Sequence, residues 1–466
     1  MKFRKFGKTV LTAALSSAIV FSLSSCVRSF TVGFLYVTGT VTNTPTGNGI
    51  VSGFKIDNNT GKLTALNGTP VSSGGANPVR AVLLAGGNFV YVLNAGTNSS
   101  GGSTCTATDP CANANITEFA VGGNGILTYQ QTFFTQGFNP FRLLADTSGN
   151  YLFALDQDAP GTVNPAAPNS STNPNQYCAT AIAGASTCGD VTVFQVNSTT
   201  GRLTLVTNAQ LTSSSGSQVT YFPVPANPID MAFTSSYVMT LSGIAGTPQT
   251  IYPYSYNSSN GQLTVSQSTP QFIDGTGPID TAGDVGNTPV QQATAVVFAG
   301  GKVYVLDNEP TTLGGTPGQI IPFTIGTNGA LQSLVGGAVA DDATETSPIY
   351  LIVESKSKFL YVANQLGSNS TNAAGIAIYT IDPASSQLTE DPGSPVPTTG
   401  SGAIPMCLLE DPSNQYIYTA NAGDSTVSGH VLDPNSGLLT QMKGTGSGTF
   451  SLTGPATWCF ASGRTS

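Results

Sequence analysis

The 466-residue chain carries 15 Lys and Arg against 24 Asp and Glu, a net charge of −9, and only 8% of its residues are charged. So sparse and acidic a charge set excludes a nucleic-acid partner, which needs a basic face. Gly 54 and Pro 29 speak for many turns, and after the N-terminus no 3.6-residue apolar periodicity supports a long helix.

In chain order, the first element is a leader. Lys2, Arg4, Lys5 and Lys8 precede an apolar stretch from Val10 to Leu23, too short to span a bilayer and suited to a signal peptide. It ends in L-S-S-C at Leu23–Cys26, which resembles the lipobox of bacterial lipoproteins. The resemblance implies a signal peptide at 1–25, lipidation of Cys26 and attachment to a membrane, with an ordinary secretory signal as the alternative. Val27 implies the outer-membrane or periplasmic side of the cell envelope. Loss of residues 1–25 removes four cations and no anions, leaving 11 against 24, a net −13. Residues 26–33 read as a short tether to a single domain at 34–463.

Within that domain one heptad recurs: FLYVTGT at 34–40, FVYVLNA at 89–95, YLFALDQ at 151–157, YVMTLSG at 237–243, KVYVLDN at 302–308, FLYVANQ at 359–365 and YIYTANA at 416–422. Each belongs to a repeat of about 50–75 residues. A Pro-initiated strand such as NPFRLLAD at 139–146 comes first, then a tight turn and the YV strand. A third strand such as DVTVFQV at 190–196 follows, and a G-x-L strand closes the unit. The closing Leu is read at 63, 127, 203, 263, 331, 388 and 438, with Ser386 in place of Gly once. Four short strands in seven units predict an all-β, seven-bladed β-propeller. The chain begins on a second strand and ends on a first strand, PATWCFAS at 455–462, so the two ends should share one blade.

Six cysteines remain after Cys26. Cys105 with Cys111 and Cys178 with Cys188 are near neighbours inside long polar segments, which suggests two local disulfides in an oxidising compartment. Cys407 and Cys459 are then left to each other. Both follow a Pro at even spacing, so their side chains point the same way around the ring, and a bridge demands that the closing strand be offset. Metal spacing is lacking and His430 is the single histidine, so neither a metal nor a cofactor is expected.

The YV strands, Pro-initiated first strands and T-G-x-L turns resemble the lactonase family of seven-bladed propellers, which includes the bacterial 6-phosphogluconolactonases. The similarity spans about residues 30–463. It implies lactone hydrolysis by His, Arg and Glu around the channel mouth. This chain departs from that pattern: His430 lies on a third strand, where an exposed or half-buried position is expected, and the first strands carry Arg or apolar residues instead.

First-to-second and third-to-fourth connections are short, whereas second-to-third and fourth-to-first connections are long, so one face should carry the loops. The second residue after each Pro should line the channel at that face: Arg80, Arg142, Asp230, Tyr350, Cys407 and Thr457, with Gln291 loosely placed. Arg80 and Arg142 suit an anion; alternatively each pairs with a neighbouring blade's Asp or with backbone carbonyls. Asp230, Asp156 and Glu309 are candidate bases, although Asn94, Asp156, Asp307, Asn364 and Asn421 read more simply as turn formers. Two functions follow. The first is a monomeric, lipid-anchored module binding a small molecule or envelope protein on its long-loop face. The alternative is a lactone hydrolase at the channel mouth with Asp230 as base.

Overall fold

The computed structural model describes residues 30–41, 48–102, 109, 111–160, 188–212, 216–243, 249–266, 271–272, 293–308, 318–334, 337–341, 345–367, 374–398, 404–442 and 448–463. They form seven antiparallel sheets. We number the blades by their innermost strands: blade 1 from Pro78–Leu83, blade 2 from Phe138–Ala145, blade 3 from Pro228–Phe233, blade 4 from Ala293–Ala299, blade 5 from Glu345–Val353, blade 6 from Pro405–Glu410 and blade 7 from Ala456–Gly463. Blade 7 closes the ring as expected. Its inner strand, from the end of the chain, pairs antiparallel with Thr31–Thr40, which continues into Asn48–Asp57 and Leu63–Ala65.

Each blade is four strands deep, but in six of the seven the outermost strand is broken in two. In blade 7, Leu63–Ala65 covers one half of Asn48–Asp57 and Val71–Ala76 the other. A broken outer strand presents no long row of free backbone groups to another chain. Only blade 1 keeps an uninterrupted outer strand, Leu127–Phe133.

The core is seven separate wedges, each made by the facing sides of two adjacent blades. The sequence repeat encodes the contact between them. Tyr36 donates its hydroxyl to the Gly125 carbonyl of the next blade at 2.7 Å, Tyr361 to Gly437 at 2.8 Å and Tyr418 to Gly61 at 2.6 Å. Tyr91 makes the same bond to Gly201. In these four YV strands the Tyr thus holds the Gly of the following blade's G-x-L turn. Those glycines are left-handed, at φ +82° for Gly125 and +79° for Gly437. A Cβ at either position would also run into the ring of Phe34 or Phe359, the first aromatic of the same YV strand. Glycine is required there for both reasons. The exception fits the rule: in blade 4 the aromatic is replaced by Lys302, and the next blade tolerates Ser386 at φ +61°. Blade 2 has Phe153 for the Tyr, and a cluster of Phe153, Phe233, Tyr151 and Tyr256 fills that wedge instead.

Two readings are corrected. The closing Leu of blade 6 is Leu439, buried and paired with Leu432, while Leu438 is exposed. The residues that end the YV strands are not surface turn formers. Asn94, Asp156, Asp307, Asn364 and Asn421 are all buried. They tie the second strand to the third: Asn94 bonds to Asn115 and Thr117, and Asn421 to Thr426 and Ser428, while Ser73, on the outer strand of blade 7, reaches Asn94 across to blade 1.

Cys407 and Cys459 form a disulfide between the inner strands of blades 6 and 7. The offset that this bond demands is present. In six blades the Pro, or Ala293 in blade 4, opposes the last residue of the YV strand. In blade 7 that place is taken by Ala456, one residue after Pro455. Cys459 is therefore three residues past the reference position and Cys407 two, so their side chains face each other across the wedge. Cys111 and Cys188 are each disulfide-bonded, and the expected partners Cys105 and Cys178 lie outside the described residues, as do Cys26 and the leader.

Thermal melts of Gly437→Ala should show a loss of about 2 kcal/mol or more, the sum of a left-handed penalty and overpacking. Ser386→Gly should be neutral or stabilising by up to about 1 kcal/mol. In a variant with the loop cysteines 105, 111, 178 and 188 replaced by Ser, reduction of Cys407–Cys459 should cost about 2–4 kcal/mol. No change on reduction would mean that the bridge does not hold the ring.

Candidate functional site

Every inner strand has a β-bulge immediately after its reference residue, at the steps Pro78/Arg80, Pro228/Asp230, Pro348/Tyr350 and their equivalents. The Asn ahead of the Pro is left-handed at 77, 139 and 227, as is Ser347, which sets the entry of the chain into that bulge. The bulge re-aims the second residue after the reference position. Arg80, Arg142, Asp230, Ala295, Tyr350, Cys407 and Trp458 occupy this level.

Four of the residues named from sequence come together there. Arg142 Nε donates to Asp230 Oδ1 at 2.6 Å, and the second Asp230 oxygen accepts the Val296 N–H at 3.1 Å. Arg142 Nη1 also donates to the Phe141 carbonyl at 3.2 Å. Arg142 thus satisfies the plainer expectation of an Arg paired with its neighbour's Asp. Arg80 differs. It is buried, its Nη2 stands 3.9 Å from Asp230 Oδ1, and its Nε has no hydrogen-bond partner among the described residues. Burial and the nearby Arg142 lower its pKa to about 10, opposed by Asp230 and Tyr350, so it stays cationic at neutral pH. One carboxylate faces two guanidinium groups, leaving one positive charge in excess.

Sequence reasoning missed Trp458. Counting from Pro455 points to Thr457, but Thr457 is the bulged residue, and its hydroxyl is 2.9 Å from that of Thr38. The indole takes the channel position instead. The Arg80 guanidinium lies 3.5 Å from the Trp458 ring centroid, and Tyr350 meets the indole edge-on at 4.8 Å. Such a stack stabilises a desolvated Arg by about 2 kcal/mol. The available signal was the cysteine parity, since the same one-residue offset that permits the disulfide moves Trp458 inward. Gln291 lies outside the described residues, and Ala295 holds the position in blade 4.

Beneath this level lies a cavity of about 410 Å³, lined by Arg80, Asp230, Tyr350 and Trp458 at one end. It runs along the inner strands to Ala145, Phe233 and Phe298 and ends at Thr147 in a first-to-second turn. Among the described residues the cavity is lined by inner strands and a short turn; the expected mouth on the long-loop face involves segments, 161–187 and 273–292 among them, that lie outside the described residues. Arg142 is not among its walls.

Of the other candidate bases, Glu309 lies outside the described residues, and Asp156 is buried in blade 2, away from the cavity. Asp156 sits directly opposite Asp190 on the adjacent strand. Burial raises the pKa of both carboxyl groups; repulsion from Asp156 and the hydrogen bond between the pair raise that of Asp190 further, while the same hydrogen bond lowers that of Asp156. His430 is corrected from an exposed or half-buried residue to a buried one facing the wedge between blades 5 and 6, and burial lowers its pKa to about 4. It is a neutral core residue at pH 7.

Residues 311–454 match the family model described as "Lactonase, 7-bladed beta-propeller". That segment contains Tyr350 and Cys407 but not Arg80, Arg142, Asp230 or Trp458. No curated protein matches the chain. Among solved structures, the periplasmic gluconolactonase of Pseudomonas aeruginosa is similar at 16% identity and TM-score 0.59, covering 92% of this chain and 98% of that one. A candidate 6-phosphogluconolactonase of Bacteroides fragilis is similar at 18% identity and TM-score 0.58, with 92% and 98% covered. A protein from Lactobacillus plantarum shares 15% identity at TM-score 0.56, with 93% and 99% covered. At these identities the likeness is one of fold.

The carboxyl pair has a pH consequence. An acid whose folded pKa lies above its unfolded value of about 4 adds stability that is fully present below that value and is lost as pH rises through the folded one. Melting temperature should therefore fall from pH 5 toward pH 9, and Asp190→Asn should flatten that slope by about 1 kcal/mol or more. An unchanged slope would show that the two groups do not share their proton in the folded protein.

Proposed function

We propose that the chain is an exported, ligand-binding propeller that takes a small carboxylate-bearing molecule in its central channel, with Arg80 as the anion contact. One observation carries the reading. A buried guanidinium with an unpartnered Nε lines a partly open cavity, in a layer with one uncompensated positive charge. Leaving such a group unpaired costs about 1–3 kcal/mol or more, and an anionic ligand removes that cost while gaining charge-assisted hydrogen bonds. Arg142 serves this site indirectly by holding the Asp230 carboxylate away from Arg80. Export is supported by the disulfides and by the periplasmic origin named for one structural neighbour. Attachment to the cell envelope through a lipid on Cys26 is part of the same proposal.

A second reading is lactone hydrolysis, favoured by the family model over 311–454 and by the gluconolactonase neighbour. A lactone and its hydroxy acid share the acyl oxygens that Arg80 would meet, and a guanidinium is a competent donor to a developing oxyanion. Asp230 would be the base, and it lies close to both Arg residues. Both of its oxygens are engaged, by Arg142 and by the Val296 N–H, so base action requires Arg142 to release it.

Trp458 is the chain's one tryptophan and lies against Arg80. Its fluorescence should change on titration with small carboxylates, and Arg80→Gln should weaken that binding by about tenfold or more, corresponding to a charge-assisted bond of about 1.5–3 kcal/mol. Binding unaffected by Arg80→Gln would overturn the proposal. With a panel of sugar and aliphatic lactones, binding without turnover is expected. Turnover that disappears in Asp230→Asn would establish the hydrolase reading instead.

A further inference from the structure

We infer that the propeller lies with its short-turn face against a phospholipid surface, so that its long-loop face points away from the membrane. The inference rests on the lipid attachment at Cys26 proposed above and names the face which that attachment brings to the bilayer.

The tether fixes where the anchor joins the disc. Cys26 precedes Phe30 by four residues, a reach of at most about 14 Å at ~3.5 Å per residue. Phe30 lies on the short-turn face. Its N–H donates to Asn58 Oδ1 at 2.9 Å and its carbonyl accepts the Asn58 N–H at 3.0 Å. Asn58 belongs to the third-to-fourth turn of blade 7. Exposed apolar side chains gather at the same end. Phe30 is 54% exposed, and Val431 and Leu438, at the turn that ends the third strand of blade 6, are exposed as well. Val431 pairs with Tyr416, whose hydroxyl donates to the Asn58 carbonyl at 3.4 Å, so this patch adjoins the anchor.

Charge divides between the two faces in the same sense. Among the described residues the cations outside the channel are Lys55, Lys62, Arg202, Lys302, Lys356 and Lys358. Each sits in a first-to-second or third-to-fourth turn, or within two residues of the adjoining strand end. The ion pairs of the described residues are those of Arg80 and Arg142 with Asp230, so none of these six is paired. The carboxylates of the same turns are folded back instead. Asp57, Asp146, Glu354, Asp382, Asp411 and Asp433 accept backbone N–H groups of their own turns, and Glu410 accepts that of Ser355. The connections from second to third and from fourth to first strands differ. They contain nine Asp and Glu and a single cation, Lys443, which lies outside the described residues. An anionic lipid surface therefore repels the long-loop face, and the turn face, with its free cations, is the one that can meet phosphates.

The test places the lipidated protein, purified from membranes, on vesicles of equal parts phosphatidylethanolamine and phosphatidylglycerol with nitroxide-bearing headgroups. A fluorophore is attached at Thr327→Cys, in a turn of blade 4 across the ring from the anchor, or at Ser100→Cys in the second-to-third connection of blade 1. Quenching is expected at 327 and not at 100. A tethered but undocked disc would leave both sites unquenched, and that result, or quenching at 100 alone, would overturn the inference. Lys356→Gln with Lys358→Gln should lower the ratio of docked to undocked protein by about fivefold per lysine and leave the melting temperature unchanged. An unaltered ratio would also overturn it. Mass spectrometry of the membrane-extracted protein reads the anchor separately. A mass without acyl chains overturns the Cys26 reading, and the same quenching on the unlipidated chain then decides the face.

Discussion

The bond from a core tyrosine to the glycine carbonyl of the next blade sets the spacing of the ring. It is made at four of the seven junctions, by Tyr36, Tyr91, Tyr361 and Tyr418. At each the donor is buried and the acceptor belongs to a left-handed turn that a ring of the same YV strand covers. The interaction is local in kind but global in effect. A blade in isolation leaves its tyrosine hydroxyl without a partner and its glycine turn without a cover. Only a neighbour at the correct rotation supplies both, so the sheets are held as a rigid closed disc. The inner strands and the channel level inherit their positions from that arrangement.

The channel follows from the bulges. A regular strand would alternate its side chains between the two adjacent wedges. One extra residue after the reference position breaks the alternation at a fixed height, the same in all seven blades. A chain with few charges has placed two arginines and an aspartate at that height. Asp230 satisfies Arg142 through a direct bond and reaches Arg80 only at 3.9 Å. Arg80 is held mainly by the indole of Trp458, a contact that neutralises no charge.

Much of this was legible in the amino-acid pattern. The YV and G-x-L signals are the two halves of one hydrogen bond, so their recurrence reports blade count directly. Shared closure of the ends followed from the order of strands. Pairing of Cys407 with Cys459 could be reached by elimination, and its parity already contained the one-residue offset. Trp458 stayed hidden because Pro455 is a local marker, and strand register is set by pairing with Thr31–Thr40, more than 400 residues away. The buried Asn and Asp that end the YV strands were hidden for a related reason. The same side chains form turns at the surface and networks in the interior, and only the outer strands decide which.

Blade 7 makes completion of the ring wait on two strands more than 400 residues apart. Its inner strand, Ala456–Gly463, is made long after its partner, Thr31–Thr40. The other six blades can assemble as the polypeptide emerges, but the seventh stays half-built until Ala456–Gly463 arrives. Closing so long a loop carries an entropic cost that grows only slowly with length, yet it delays the event. Cys407 meets Cys459 only after that strand is in place, so the bridge seals a ring that has already closed.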